Sequence, residues 1–340
     1  MRNFKKTMSV LLATIMAFSA FSALTFTASA AEVDSSNSVS AEFGDYEYQV
    51  LDDGTAEITG YIGNDTELII PSEINGYKVT SIGYSAFSID LWITAVTIPN
   101  SVTDIGDSAF YGCENLKNII IPKSVTSIGG HAFLGTAWLN NQPDGVIYIN
   151  DIAYTYKGEM PKNTSITLLP GTKAISSNAF SHQAGLISID IPDSVNNIGT
   201  SAFSFCMSLT SVTIPDSVTS IDLGTFMHCL GLTSVIISKN VSYISGNAFQ
   251  GCNYLTIYGY KGTAAEKYAN KNEITFVALD DSIGDVNGDG ALSVADATII
   301  QKCIASITEL TPEQLVLADF NGDGAVNVND ATAIQRALVK

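Results

Sequence analysis

Two stretches near the C-terminus carry the residues best suited to chemistry. Asp285-Val286-Asn287-Gly288-Asp289-Gly290-Ala291-Leu292-Ser293-Val294-Ala295-Asp296 recurs 34 residues later as Asp319-Phe320-Asn321-Gly322-Asp323-Gly324-Ala325-Val326-Asn327-Val328-Asn329-Asp330. Side-chain oxygens at positions 1, 3, 5, 9 and 12, with a backbone carbonyl at 7, are what a hard cation of six to eight ligands such as Ca2+ requires. Gly290 and Gly324 hold position 6, where the chain must turn sharply around an ion. The plain alternative is a pair of acidic surface turns, and two in-register copies with every oxygen position filled argue against it. Each loop runs into a stretch without Gly or Pro, Ala297 to Ala305 and Ala331 to Val339, that reads as a helix.

Other reactive residue types are scattered. Cys113, Cys206, Cys229 and Cys252 each follow a repeated Phe by three residues, which suits small buried hydrophobes; disulfides between rungs stay open for an exported chain. His182 and His228 fall two repeats apart, and His131 at another turn position. No nucleophile elbow or phosphate loop is present. Arg occurs only at Arg2 and Arg336 in a chain of 340 residues with net charge −18, which excludes a basic stripe for nucleic acid or for anionic lipid.

The elements that must carry these residues are set by a repeat. Phe87, Phe110, Phe133, Phe180, Phe203, Phe226 and Phe249 are spaced 23 residues apart, except for one gap of 47. A fixed period of this size marks a solenoid, whose coils bury a core only by stacking. Within a period, Leu209 to Ile214 alternates as a short strand, and Pro215 ends it. The outward strand positions Thr97, Ile120, Asp190, Thr213 and Ile236 offer one acid among Thr and Ile. Val146 to Tyr156 reads as an inserted hairpin around Asn150-Asp151, Tyr46 to Ile58 as an N-terminal capping hairpin, and Ala264 to Asn270 as a capping helix. Tyr111, Phe205, Met227 and Gln250, after the repeated Phe, are candidates for a partner surface. Arg2, Lys5 and Lys6, an apolar run from Met8 to Phe26 and Ala28-Ser29-Ala30 form a secretory signal peptide cut after Ala30. No later stretch is long and apolar enough for a membrane span.

The motif Ser-Val-Thr-Ser-Ile-Gly-x-x-Ala-Phe at Ser124 to Phe133 resembles the BspA-like bacterial leucine-rich repeats over residues 44–279. That likeness implies a binding or adhesion surface and no shared catalytic centre. The duplicated loop and exiting helix over 284–340, with Asp rather than Glu at position 12, resembles a type I dockerin with two EF-hand-like calcium loops. The resemblance implies the ligands Asp285, Asn287, Asp289, Ser293 and Asp296 with the Ala291 carbonyl, then Asp319, Asn321, Asp323, Asn327 and Asp330 with the Ala325 carbonyl, for two structural Ca2+ ions. It implies as partner the cohesin module of a scaffoldin, read through Val294, Ala295, Gln301 and Lys302 in one copy and Val328, Asn329, Gln335 and Arg336 in the other. The best-known dockerin group has Ser-Thr at loop positions 10 and 11, and this chain departs from it.

The expected fold is thus a β-rich leucine-rich-repeat solenoid with a hairpin cap and an inserted hairpin, followed by a small all-α dockerin. The expected boundaries are a signal peptide at 1–30, a linker at 31–43, the solenoid at 44–279, a linker at 280–283 and the dockerin at 284–340. The expected function is that of a secreted, non-catalytic cellulosome component at the cell surface, whose solenoid binds a protein or carbohydrate. Two alternatives stay open: a carbohydrate-active solenoid enzyme with its site around Asp144 to Lys157, using Asp151 or Glu159, and a regulatory binder such as a protease inhibitor.

Overall fold

A computed structural model describes residues 40–321 and 325–339. The signal peptide, most of the first linker and the proposed ligand Asp323 therefore lie outside the described residues. The chain divides into two compact units between Lys157 and Gly158, at the end of the inserted hairpin.

The first unit opens with an antiparallel meander. Ser40–Phe43 pairs with Tyr46–Val50, which pairs with Ala56–Tyr61. Ser40–Phe43 falls within the expected linker; it alternates polar and apolar residues over only four positions, and pairing with Tyr46–Val50 makes it a strand. From Ala56–Tyr61 onward the pairing becomes parallel, through Tyr77–Ile82 to Asp104–Ile105 and Ser127–Ile128. Glu67–Ile69, Ala95–Thr97 and Asn118–Ile120 build a second parallel sheet. Between the sheets the repeated phenylalanines stack, Phe87 on Phe110 at 5.0 Å and Phe110 on Phe133 at 5.6 Å, with ring planes within 9°. Helix α1 (Ala137–Asn140) and the antiparallel hairpin Gly145–Ile149 and Ile152–Lys157 follow.

The second unit repeats the design. Thr164–Thr167, Leu186–Asp190, Ser211–Ile214, Ser234–Ile237, Thr256–Gly259 and Thr275–Ala278 form one parallel sheet. Phe180, Phe203, Phe226 and Phe249 stack at 5.3–5.4 Å with planes 4° apart. Phe180, Phe203 and Phe226 are wholly buried. Each fully buried large apolar side chain contributes about 1.5–3 kcal/mol, which coils this short obtain only from their neighbours.

Both ladders are closed by the same device. Tyr154 from the hairpin, and Tyr268 from helix α2 (Ala264–Lys271), each meet the last Phe edge-on at 5.7 Å. Each phenol oxygen accepts that residue's backbone N–H, from Phe133 at 2.8 Å and from Phe249 at 3.3 Å. A tyrosine thus packs on the last ring of each stack and satisfies a backbone donor that, at the other repeated Phe, bonds a carbonyl of the following coil.

After the last strand the chain is helical. The segment 280–283 expected as a linker lies largely within helix α3 (Leu279–Ser282), whose Leu279 is fully buried. Helices α4 (Val294–Ile304), α5 (Pro312–Ala318) and α6 (Val328–Ala337) complete the chain. α5 has no counterpart among the expected elements, although Thr311-Pro312-Glu313-Gln314 spells a capping box with Pro at the first helical position.

Candidate functional site

Each acidic loop ends by capping the helix that follows it. Ser293 is the N-cap of α4, and Asp296 accepts from the Ser293 N–H and hydroxyl at 2.9 Å each, and from the Asn287 N–H at 3.0 Å. Asn327 caps α6 in the same way, with Asp330 accepting from Asn327 N–H at 2.9 Å and Asn321 N–H at 3.1 Å. Asp296 and Asp330 are wholly buried, which a carboxylate tolerates because donors surround it. The twelfth residue therefore clamps loop position 3 to position 9 and starts the helix at once.

At the head of the first loop, Asp285 curls the chain around its own carboxylate. It accepts from the N–H groups of Gly288 at 2.9 Å, Asp289 at 3.1 Å and Gly290 at 2.8 Å. The turn needs left-handed backbone at Gly288 and Gly290, with φ of +71° and +85°, which glycine supplies without a Cβ clash. Asn287 donates its side-chain N–H to Asp289 Oδ2 at 2.8 Å, while Asp289 Oδ1 accepts from Ala291 N–H at 3.0 Å. In the second loop Asn327 donates to the Ala325 carbonyl at 2.8 Å. Among the described residues no three His, Cys, Asp or Glu side chains are gathered into a cage. The donor chemistry still suits Ca2+: every side chain at the five positions of the first loop bears oxygen, and the exposed Asn287 and Asp289 lie on a loop already curled.

The two halves share one small core. Ala297 and Ile300 of α4 meet Ala331 and Ile334 of α6, their counterparts 34 residues on, with Val286 and Ala318 between them. Burying these faces leaves the others open. Val294, Ala295, Gln301, Lys302, Val328, Asn329, Gln335 and Arg336 are all exposed, with Val294 at 61% and Val328 at 59%. The structure thus brings the proposed partner residues to two equivalent outward helix faces.

One position departs from its expected place. Ile236 holds an outward strand position in the repeat pattern, yet it is only 5% exposed because Leu279 and Leu317 pack on it. Thr213, one rung before it, stays exposed, as does Ile120 in the first unit. Tyr258 and Tyr260 flank the same contact, and burial, reinforced by Glu313 for Tyr258 and by Asp216, Asp280 and Asp319 for Tyr260, raises both phenol pKa values.

The remaining candidates serve the fold. Cys113, Cys206, Cys229 and Cys252 are buried free thiols, each donating to the carbonyl of a Phe in the coil before at 3.0–3.2 Å. Burial pushes the thiols of Cys113 and Cys206 up to about 12 and that of Cys252 to about 11. His182 and His228 take left-handed φ values of 63° and 57°, because every second N–H around the repeated Phe must reach the next coil. Their rings sandwich the half-buried Phe205, at 4.6 and 4.8 Å. In the inserted hairpin, Asp144 pairs with Lys157 at 2.9 Å and Asp151 is exposed in the turn.

Comparison with known proteins finds two kinds of module in the chain. The family profile described as BspA type leucine rich repeat region matches in six copies over residues 66–157 and 147–275. The dockerin type I domain profile matches residues 283–339. Among solved structures, the T. pallidum leucine-rich repeat protein is similar at 25% identity, covering 70% of this chain and 98% of its own, with a TM-score of 0.33. A leucine-rich cell surface protein from Faecalibacterium prausnitzii is similar at 21%, covering 69% and 97%, with 0.31. A leucine-rich repeat protein from Bacteroides ovatus is similar at 20%, covering 70% and 99%, with 0.31. No curated protein matches the chain. The chain belongs to the BspA-type leucine-rich-repeat family and carries a type I dockerin domain after its repeats.

Proposed function

We propose that this protein is a secreted, non-catalytic component of a cellulosome-type complex, in which the dockerin binds a scaffoldin cohesin and the solenoid recruits a protein or carbohydrate. The observation that carries the reading is the dockerin match over a module whose two equivalent helix faces stand open to solvent. Both matched module types are non-catalytic. No helix among the described residues is long and apolar enough to cross a membrane. The proposed domains are those of the sequence: leader at 1–30, solenoid at 44–279, dockerin at 284–340.

Two Ca2+ ions are structural in this reading. Asp285, Asn287, Asp289, Ser293 and Asp296 with the Ala291 carbonyl would hold one, and Asp319, Asn321, Asp323, Asn327 and Asp330 with the Ala325 carbonyl the other. Residues 280–340 hold 10 acids and 3 bases, so two ions would bring that segment from −7 to −3. A module with so small a core draws folding free energy from its metal.

The near-equivalence of α4 and α6 supports two alternative docking modes related by a pseudo-two-fold. Calorimetry on a cohesin that captures the chain tests this. Changing Gln301 and Lys302 to Ala, or Gln335 and Arg336 to Ala, should weaken binding only about twofold, the statistical share of one of two equal modes. All four changes together should abolish it. Loss of all binding in either single-helix variant would overturn the two-mode reading.

A further inference from the structure

Ile236 is buried by a part of the chain that the repeat does not supply. α5 lies between the two calcium loops and divides its surface between two neighbours. Val316 and Leu317, one turn beyond Glu313, join Ile236, Leu279, Tyr258 and Tyr260, while the Glu313 carboxylate accepts the hydroxyl of Ser234. On its other side Ala318 enters the core between α4 and α6, and Gln314 donates to the Val286 carbonyl at 3.0 Å. Residues 313, 316 and 317 share one helix face, and 314 and 318 the adjoining one. A helix of seven residues is far below the length that holds in isolation, so α5 depends on both contacts.

We propose that the outer face of the last solenoid strands, at Ser234, Ile236, Tyr258 and Tyr260, is a seat for α5, and that the solenoid thereby completes the dockerin fold and strengthens its hold on calcium. The link to the metal is short. Asp319, the first residue of the second loop, is the C-cap of α5, and the Leu317 carbonyl accepts the N–H of Gly284, next to the first residue of the first loop, at 2.8 Å. Seating α5 therefore fixes the start of both loops. The seat uses no residue of the exposed faces of α4 and α6, so a docked module keeps its partner surfaces free. The inference rests on the dockerin match and not on cohesin binding, so a chain that captured no cohesin would leave it standing.

The test is a calcium titration of the full mature chain, followed by far-ultraviolet circular dichroism, on Ile236→Gln, Leu317→Gln and the double variant. Glutamine adds no charge, so a changed calcium midpoint does not arise from altered electrostatics. Each single change should weaken the midpoint about tenfold, the equivalent of about 1.4 kcal/mol. The solenoid's β signal and melting should not move, and the double variant should be no worse than the weaker single. Unchanged midpoints in both singles, or effects that add in the double, would overturn the proposal. Leu317→Gln tests it by itself if Ile236→Gln disturbs the sheet.

Discussion

The buried thiols are an acid–base statement about the fold. Cys113, Cys206 and Cys252 have pKa values raised by burial to between about 11 and about 12. The folded state thus binds their protons more tightly than the unfolded chain does. Stability from these groups is fully present below the unfolded thiol pKa of about 8.5 and is lost as pH rises through the folded values. Denaturant midpoints should hold steady up to pH 8 and fall from pH 9 to 11, and Cys→Ser variants should flatten that fall. At pH 8 a thiol reagent should label Cys303, which is half-buried, well before the other four, which should react only on unfolding. Spacing alone showed that these four residues share a position in the coil. Their partners did not follow from spacing, because a thiol donating to a carbonyl in the preceding coil depends on how the coils stack.

At the scale of elements, what repeats was legible and what occurs once was not. The 23-residue period and the prolines that end its strands, Pro99, Pro122, Pro192 and Pro215, placed the strands, and Asn150-Asp151 placed the inserted hairpin. The two loops with their exiting helices were equally plain, since side-chain type is fixed at each position of a calcium loop. Ser40–Phe43, α3 and α5 escaped, being segments of four to seven residues, too short for a periodic pattern to mark them, that owe their structure to neighbours; the capping box of α5 left a local sign. Gly284 shows how tight the joint after α3 is. Its φ is +92°, and an added Cβ would stand 2.5 Å from Leu292 and 2.6 Å from Phe320. Gly284→Ala should destabilise the dockerin by well over about 1 kcal/mol, since both backbone and packing oppose it. Helical melting should drop in that variant while the solenoid melts at its usual temperature.

At the scale of the molecule, charge and pattern divide the labour. Residues 31–279 hold 24 acids and 10 bases spread over the turns, which favours solubility and singles out no partner. The acids of the last 61 residues are concentrated instead, six of ten falling at loop positions 1, 5 and 12 of the two copies. The half whose chemistry is written in fixed positions was the more legible, and the solenoid's partner was not, because its outward residues are ordinary Thr, Ile and Asp. The most direct test of the whole reading is capture of the mature chain by a panel of immobilised cohesins, first in calcium and then in EDTA, with circular dichroism on the same samples. The expected result is capture by at least one cohesin in calcium and release in EDTA, with loss of helical signal and an unchanged β signal. Capture indifferent to EDTA, or no capture by any cohesin in calcium, would contradict it.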